Sequence, residues 1–175
     1  MIFGDKSSFA IEIEIDEIYN NYFIGDGFFI VYINGVFYGR REKNATSFPS
    51  ILNQLSYFVD NMINTDISLE NKSKEDISIG YYCQNYSEKN LSCYNKDFLE
   101  KTCNLITWSP DEAFDDGSYV IHFDNAGKTR IIGFKSCMVN DNCMVKLGTE
   151  NEIVISRKEF ERVLKETCDY LVSLK

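Results

Sequence analysis

From Phe9 to Asp16 the chain reads FAIEIEID, an alternation that puts Phe9, Ile11, Ile13 and Ile15 on one side and Ala10, Glu12, Glu14 and Asp16 on the other. Successive side chains of a β-strand point to opposite faces, so this period of two describes a strand with one face in a core and one toward water. The run that follows, FFIVYINGVFYG, sets six apolar or aromatic residues before Asn34-Gly35 and three after it. Asn-Gly accepts the positive φ angles of a type I′ turn, which joins two antiparallel strands in a tight hairpin.

A second hairpin is expected where Ser118–Asp124 and Thr129–Phe134 flank DNAG, with Gly127 supplying the left-handed position of a longer turn. Two helical stripes complete the pattern. After Ser47, the residues Ile51, Leu52, Leu55, Phe58, Val59, Met62 and Ile63 recur at three- and four-residue spacing, the apolar face of a helix packed on a sheet. Its other side, with Ser50, Asn53, Gln54, Ser56, Asp60 and Asn61, reads as a solvated face.

Near the end, SRKE has the form of a capping box in which Ser156 and Glu159 each satisfy a free amide. Phe160, Val163, Leu164, Thr167, Leu171 and Leu174 then share one face, and a strand over Glu152–Ile155 precedes them. Residues 64–104 are rich in Asn, Ser and Lys and hold Tyr81, Tyr82, Tyr86 and Tyr94. A structureless loop of that length is unusual in a compact domain, so short elements of unassigned type are expected around Ile77–Cys83 and Asp97–Cys103. These features predict an α+β fold: one mainly antiparallel sheet built from hairpins, with the two amphipathic helices packed on one face. No stretch rich in Pro, Gly or Ser divides the chain, so residues 1–175 read as a single domain.

The charge excludes one large class of function. Against 27 Asp and Glu the chain has 18 Lys and Arg, a formal net charge of −9. Nucleic-acid binding needs a Lys/Arg footprint that releases counterions from phosphate, whereas an acidic chain favours a basic partner or simply solubility. The opening residues lack a basic start followed by an apolar block, and no stretch approaches the roughly 18 apolar residues of a membrane span. A cytoplasmic protein without membrane contact is therefore expected, with its six cysteines reduced.

Asp111–Asp124, DEAFDDGSYVIHFD, is the densest concentration of chemical groups. It is not a helix-loop-helix calcium loop, because counting back from Gly117 reaches Phe114 where a carboxylate is required. No cysteine pair has the C-x-x-C spacing of a zinc site. The one histidine, His122, lies in phase with Val120 and Asp124, and a cysteine meeting it would form a nucleophile and base. A packed thiol and a strand-face histidine are the plainer reading. The carboxylates could act as acid and base only with a substrate pocket beside them. There is no phosphate-binding loop, nucleophile elbow or dinucleotide fingerprint, and neither a metal nor a cofactor is expected.

MIFGDKSSFAIEIEID and FDDGSYVIHFDNAGKTRIIGFK resemble the opening and the later hairpin of the immunity protein 42 family of bacterial polymorphic-toxin systems. The similarity covers about the first forty residues and about residues 112–175. It implies a non-enzymatic cytoplasmic protein that binds a cognate toxin and blocks it, with no catalytic residue or cofactor. Toxins that attack nucleic acid carry basic clefts, and an acidic patch both steers toward such a cleft and occupies it. Asp111, Glu112, Asp115 and Asp116, a cluster without a neighbouring Lys or Arg, are thus candidate toxin-binding residues. Trp108 and Tyr119 beside them are of the types that anchor interfaces, and Tyr81, Tyr82 and Tyr86 form a second candidate group. The competing local reading makes Asp115-Asp116-Gly117 a turn entering the strand at Ser118. The competing functional reading is a small enzyme or ligand-binding domain using the carboxylates or a Cys/His122 pair.

Overall fold

The computed structural model describes residues 1–16, 25–43, 45–60, 69, 71–86, 96–103, 105–108, 111–139, 142–146 and 148–174. The chain opens with strand β1 (Ile2–Gly4), followed by the alternating segment as β2 (Phe9–Ile15) and the hairpin as β3 (Asp26–Ile33) and β4 (Val36–Tyr38). Asn34 and Gly35 have φ values of 48° and 79°, as a type I′ turn requires. A short β5 (Thr46–Ser47) leads directly into α1 (Phe48–Asp60), whose Pro49 sits in the first turn, where no amide donor is needed. Met62 and Ile63 of the expected stripe lie outside the described residues.

The middle of the chain contains two helices, α2 (Lys74–Tyr86) and α3 (Lys96–Cys103). Ser73 begins α2, its hydroxyl accepting the Asp76 amide at 3.0 Å. Gly80 weakens the helix intrinsically but lets α3 approach: a side-chain carbon there would lie 2.6 Å from the Phe98 ring. Beyond them come β6 (Ile106–Trp108), a 3-10 helix at Asp111–Phe114, β7 (Ser118–Asn125), β8 (Lys128–Val139), β9 (Asn142–Val145), β10 (Asn151–Ser156) and α4 (Arg157–Ser173). Ser156 caps α4 by accepting the Glu159 amide at 3.2 Å. The return bond of the capping box is not the one seen, because both Glu159 oxygens accept from Arg162, whose guanidinium offers two charged donors one turn along. The β7–β8 turn is also tighter than expected. Ala126 and Gly127, at φ 46° and 78°, form a two-residue connection, so the strands run on to Asn125 and Lys128.

The fold is α+β with antiparallel pairing, but the strands form two five-stranded sheets rather than one. The first has the order β1-β2-β3-β4 with β5 also on β3, and the second β10-β8-β7-β6 with β9 also on β8. Side chains, not a continuous ladder, join them. The Tyr38 ring at the end of β4 lies across Gly133 of β8, where a side-chain carbon would come within 2.3 Å of it, and its hydroxyl donates to the Thr149 carbonyl at 2.9 Å. The side-chain amides of Asn34 and Asn151 donate across the same junction to the Glu152 and Ile33 carbonyls.

Phe9, Ile11 and Ile13 of β2 face the main core, as their alternation predicts, together with Phe29 and Val31 of the first sheet. Val120 and Ile131 of the second sheet meet them there, and so do the apolar stripes of α1 and α4. The second sheet is buried on both sides. Its Ile121, Phe123, Ile132 and Phe134 pack against Ile77, Tyr81 and Tyr82 of α2 and Phe98 of α3, which makes a further helical layer. Ala10 on the outer side of β2 is buried too, with Phe28, Ile30, Tyr32 and Ala45. Among the described residues no helix is long and apolar enough to cross a membrane.

Candidate functional site

Trp108 and His122 are placed in the core. Trp108 is 1% exposed and packs against Phe9, Phe29, Phe58 and Phe160. Its indole N–H donates to Nδ1 of His122 at 2.8 Å, which fixes the imidazole with its proton on Nε2. His122 is 2% exposed, with the Phe58 and Phe160 rings against it, and burial pushes its pKa down to about 3. It is a neutral acceptor inside an aromatic cluster. Burial likewise pushes the Cys168 thiol up to about 11, which keeps it protonated at neutral pH. Among the described residues no three His, Cys, Asp or Glu side chains gather in a way that could hold a metal.

Trp108, Tyr81 and Tyr82, expected to anchor an interface, are therefore core residues and have no ring surface to offer a partner. Tyr82 meets Tyr119 edge to face at 5.5 Å, and Tyr119, half-buried, stacks on Phe134 at 5.1 Å. Aromatic side chains serve cores and interfaces equally, so residue type could not separate the two. The side chains of Tyr86, Asp111 and Glu112 lie outside the described residues.

The acidic turn is at the surface, and it is built. The Gly117 amide donates to the Phe114 carbonyl at 3.1 Å, with Gly117 at φ 81°. Asp116 accepts the Ser118 amide on one oxygen at 3.1 Å and Lys135 Nζ on the other at 2.7 Å. The cluster was expected to lack a neighbouring cation, but the β7–β8 register pairs Ser118 with Lys135 and so brings one alongside. Asp115 is exposed.

From Lys135 a mixed strip continues over the outer side of the first sheet. Lys135 Nζ lies 5.7 Å from the centre of the Phe37 ring, and the Arg41 guanidinium lies at the same 5.7 Å. Phe37 is 45% exposed, an aromatic ring presented to solvent between two cations. Arg41 pairs with Glu12 at 2.5 Å, and Glu12 also accepts from Lys6 at 3.0 Å and from the Tyr32 hydroxyl at 2.7 Å. Burial alone would raise the Glu12 pKa, but the Tyr32 and Lys6 hydrogen bonds and the Arg41 charge hold it below the usual carboxylate range. Sequence reasoning missed this strip. Its signal was present, because the hairpin register pairs Phe37 with Tyr32 and Tyr32 with Ala10, which places Phe37 on the water side of the alternation.

The profile of the immunity protein 42 family matches residues 1–170. The chain belongs to the immunity protein 42 family. The match spans the middle of the chain as well as the two stretches that resemble the family, and it makes the chain a toxin-neutralising immunity protein. Among solved structures, the crystal structure of CdiI from Burkholderia dolosa AUO158 is similar with a TM-score of 0.65 and 18% identity, covering 97% of this chain and 99% of that one. At that identity the likeness shows a shared fold. No curated protein sequence matches the chain.

Proposed function

We propose that this immunity protein acts in the cytoplasm as a single domain that binds its cognate toxin and blocks it without catalysis. The toxin would meet the surface formed by Asp115, Asp116, Lys135, Phe37 and Arg41. The observation that carries the surface assignment is Phe37, a large ring left 45% exposed between Lys135 and Arg41, each of which pairs with a carboxylate. Interface anchors have that anatomy, with an aromatic centre and a polar rim. Supporting the non-catalytic reading, His122 is enclosed and neutral and the Cys168 thiol is protonated. The formal charge of −9 and the exposed Asp115 favour a toxin that is basic where it meets this surface.

Three substitutions test the assignment by binding kinetics with the cognate toxin domain. Asp115→Lys should fold normally, slow association and weaken its salt dependence, because a rim charge acts mainly on encounter. Asp115→Lys combined with Asp116→Lys should slow it further, at a cost of about 1 kcal/mol in stability from the broken turn and the lost Lys135 pair. Phe37→Ala should speed dissociation roughly tenfold or more, as expected for loss of an anchor worth about 1–2 kcal/mol. Folded variants with unchanged rates would leave Asp115–Gly117 as a structural turn and move the interface elsewhere.

A further inference from the structure

We infer that Arg41 receives a carboxylate side chain of the toxin, and that Phe37 beside it receives an apolar neighbour of that carboxylate. This rests on the toxin-binding reading above and names the chemistry that one end of the surface selects. The Arg41 guanidinium is already held in place. Its Nη2 donates to a Glu12 carboxylate oxygen at 2.5 Å and to the Tyr32 hydroxyl, and the group lies 5.7 Å from the centres of both the Phe28 and the Phe37 rings. These hydrogen bonds use one nitrogen of three. Among the described residues nothing accepts from Nε or Nη1, Glu14 on the same side of β2 included, and the side chain is 48% exposed. A guanidinium carries five N–H donors in a rigid plane, so the three on Nε and Nη1 are fixed in position and await an acceptor.

A carboxylate suits such donors best. Hydrogen bonds between ions are the stronger kind, and a guanidinium that is already fixed loses little freedom in forming them. Glu12 does not use up the local positive charge, because Lys6 shares the same oxygen at 3.0 Å. Toward the other end of the strip Lys135 is matched by Asp116, and Asp115 is exposed. The surface is thus polarised, negative at Asp115 and positive at Arg41, with the Phe37 ring between Lys135 and Arg41. A gradient of this kind fixes which way round a partner docks. A toxin with no carboxylate at this place would cover Arg41 and leave its donors without water or acceptor, which weakens binding. Arg41 therefore discriminates among toxins as well as holding one.

The test is the affinity of the intact protein for its cognate toxin domain, with Arg41→Gln on one side and each toxin Asp or Glu changed in turn to Asn or Gln on the other. Arg41→Gln leaves Lys6 and Tyr32 on Glu12, so it should fold as the wild type does and raise Kd about tenfold or more. One toxin carboxylate should cost about as much against the wild type and nothing further against Arg41→Gln. The sign is decisive, because a toxin face that is basic throughout would bind Arg41→Gln more tightly. A Kd that is unchanged or lowered by Arg41→Gln, while Phe37→Ala still weakens binding, would overturn the inference and leave the toxin-binding surface in place. If Arg41→Gln fails to fold, the toxin series against the wild type decides, and no carboxylate costing tenfold would overturn it. Self-association of the free protein that Arg41→Gln abolishes would assign the site to a second copy, which also overturns it. Failure of the wild type to bind the toxin at all would overturn the functional reading and this inference together.

Discussion

Ile13→Asp is expected to leave no folded protein, whereas Glu14→Lys, one residue along, should change stability by no more than about 0.5 kcal/mol. Ile13 is fully buried in the main core and pairs with Phe29 across β2–β3, and its amide donates to the Met1 carbonyl at 2.8 Å. Removing the isoleucine side chain alone costs about 2–5 kcal/mol. Placing a carboxylate there adds the cost of desolvating a charge among the apolar side chains of the main core, or of protonating it, and the sum reaches the whole stability of a typical domain, about 5–15 kcal/mol. Glu14 is exposed on the opposite side of the same strand. The measurement is a chemical-denaturation curve for each variant followed by circular dichroism. A cooperative transition retained by Ile13→Asp, or equal loss in both, would mean that the register of β2 is wrong.

The second large effect is a loss of stability in mild acid, centred on His122. Its folded-state pKa, near 3, lies below the ordinary value of 6.5, so between these values the unfolded chain binds a proton that the folded one refuses. Stability is therefore complete above about pH 6.5 and declines as the pH falls toward 3, at up to about 1.4 kcal/mol per unit. Geometry gives the same sign. A proton on Nδ1 would face the Trp108 indole N–H, two donors in contact, and the Phe58 and Phe160 rings pack against the imidazole. Between pH 7 and pH 5 the expected loss from His122 is about 2 kcal/mol. His122→Gln keeps an acceptor for the indole and should remove this slope, at some cost in stability at neutral pH. Denaturation curves that superimpose at pH 7 and pH 5 for the wild type would contradict the buried neutral imidazole.

Where one period dominated, the fold could be read in advance. The alternation at Phe9–Asp16, the Asn34-Gly35 turn and the stripes of α1 and α4 needed only local rules, and each element is present. The division into two sheets was not legible, because it depends on a contact between Tyr38 and Gly133, almost a hundred positions apart in sequence terms. The helical layer of α2 and α3 was obscured for a different reason: Gly80 and the polar residues of α2 dilute its stripe, and only the Ser73 cap marked its start. Asp116 looked unpaired because Lys135 reaches it through strand register rather than through neighbouring sequence. Trp108, Tyr81 and Tyr82 looked like anchors because composition does not reveal depth. Phe37, the ring that is exposed, was hidden inside an apolar run whose alternation beyond the turn identifies it.

An immunity protein that neutralises its toxin by holding it restores growth and stays bound to the toxin. The cognate toxin domain is expressed with and without the immunity protein, growth is recorded, and the immunity protein is purified through a tag. The account predicts restored growth together with a stable complex that survives purification in the presence of a chelator and a thiol-blocking reagent, since neither metal nor thiol carries the function. Growth arrest that persists beside abundant folded immunity protein would contradict it, and so would restored growth with no complex and a chemically altered toxin.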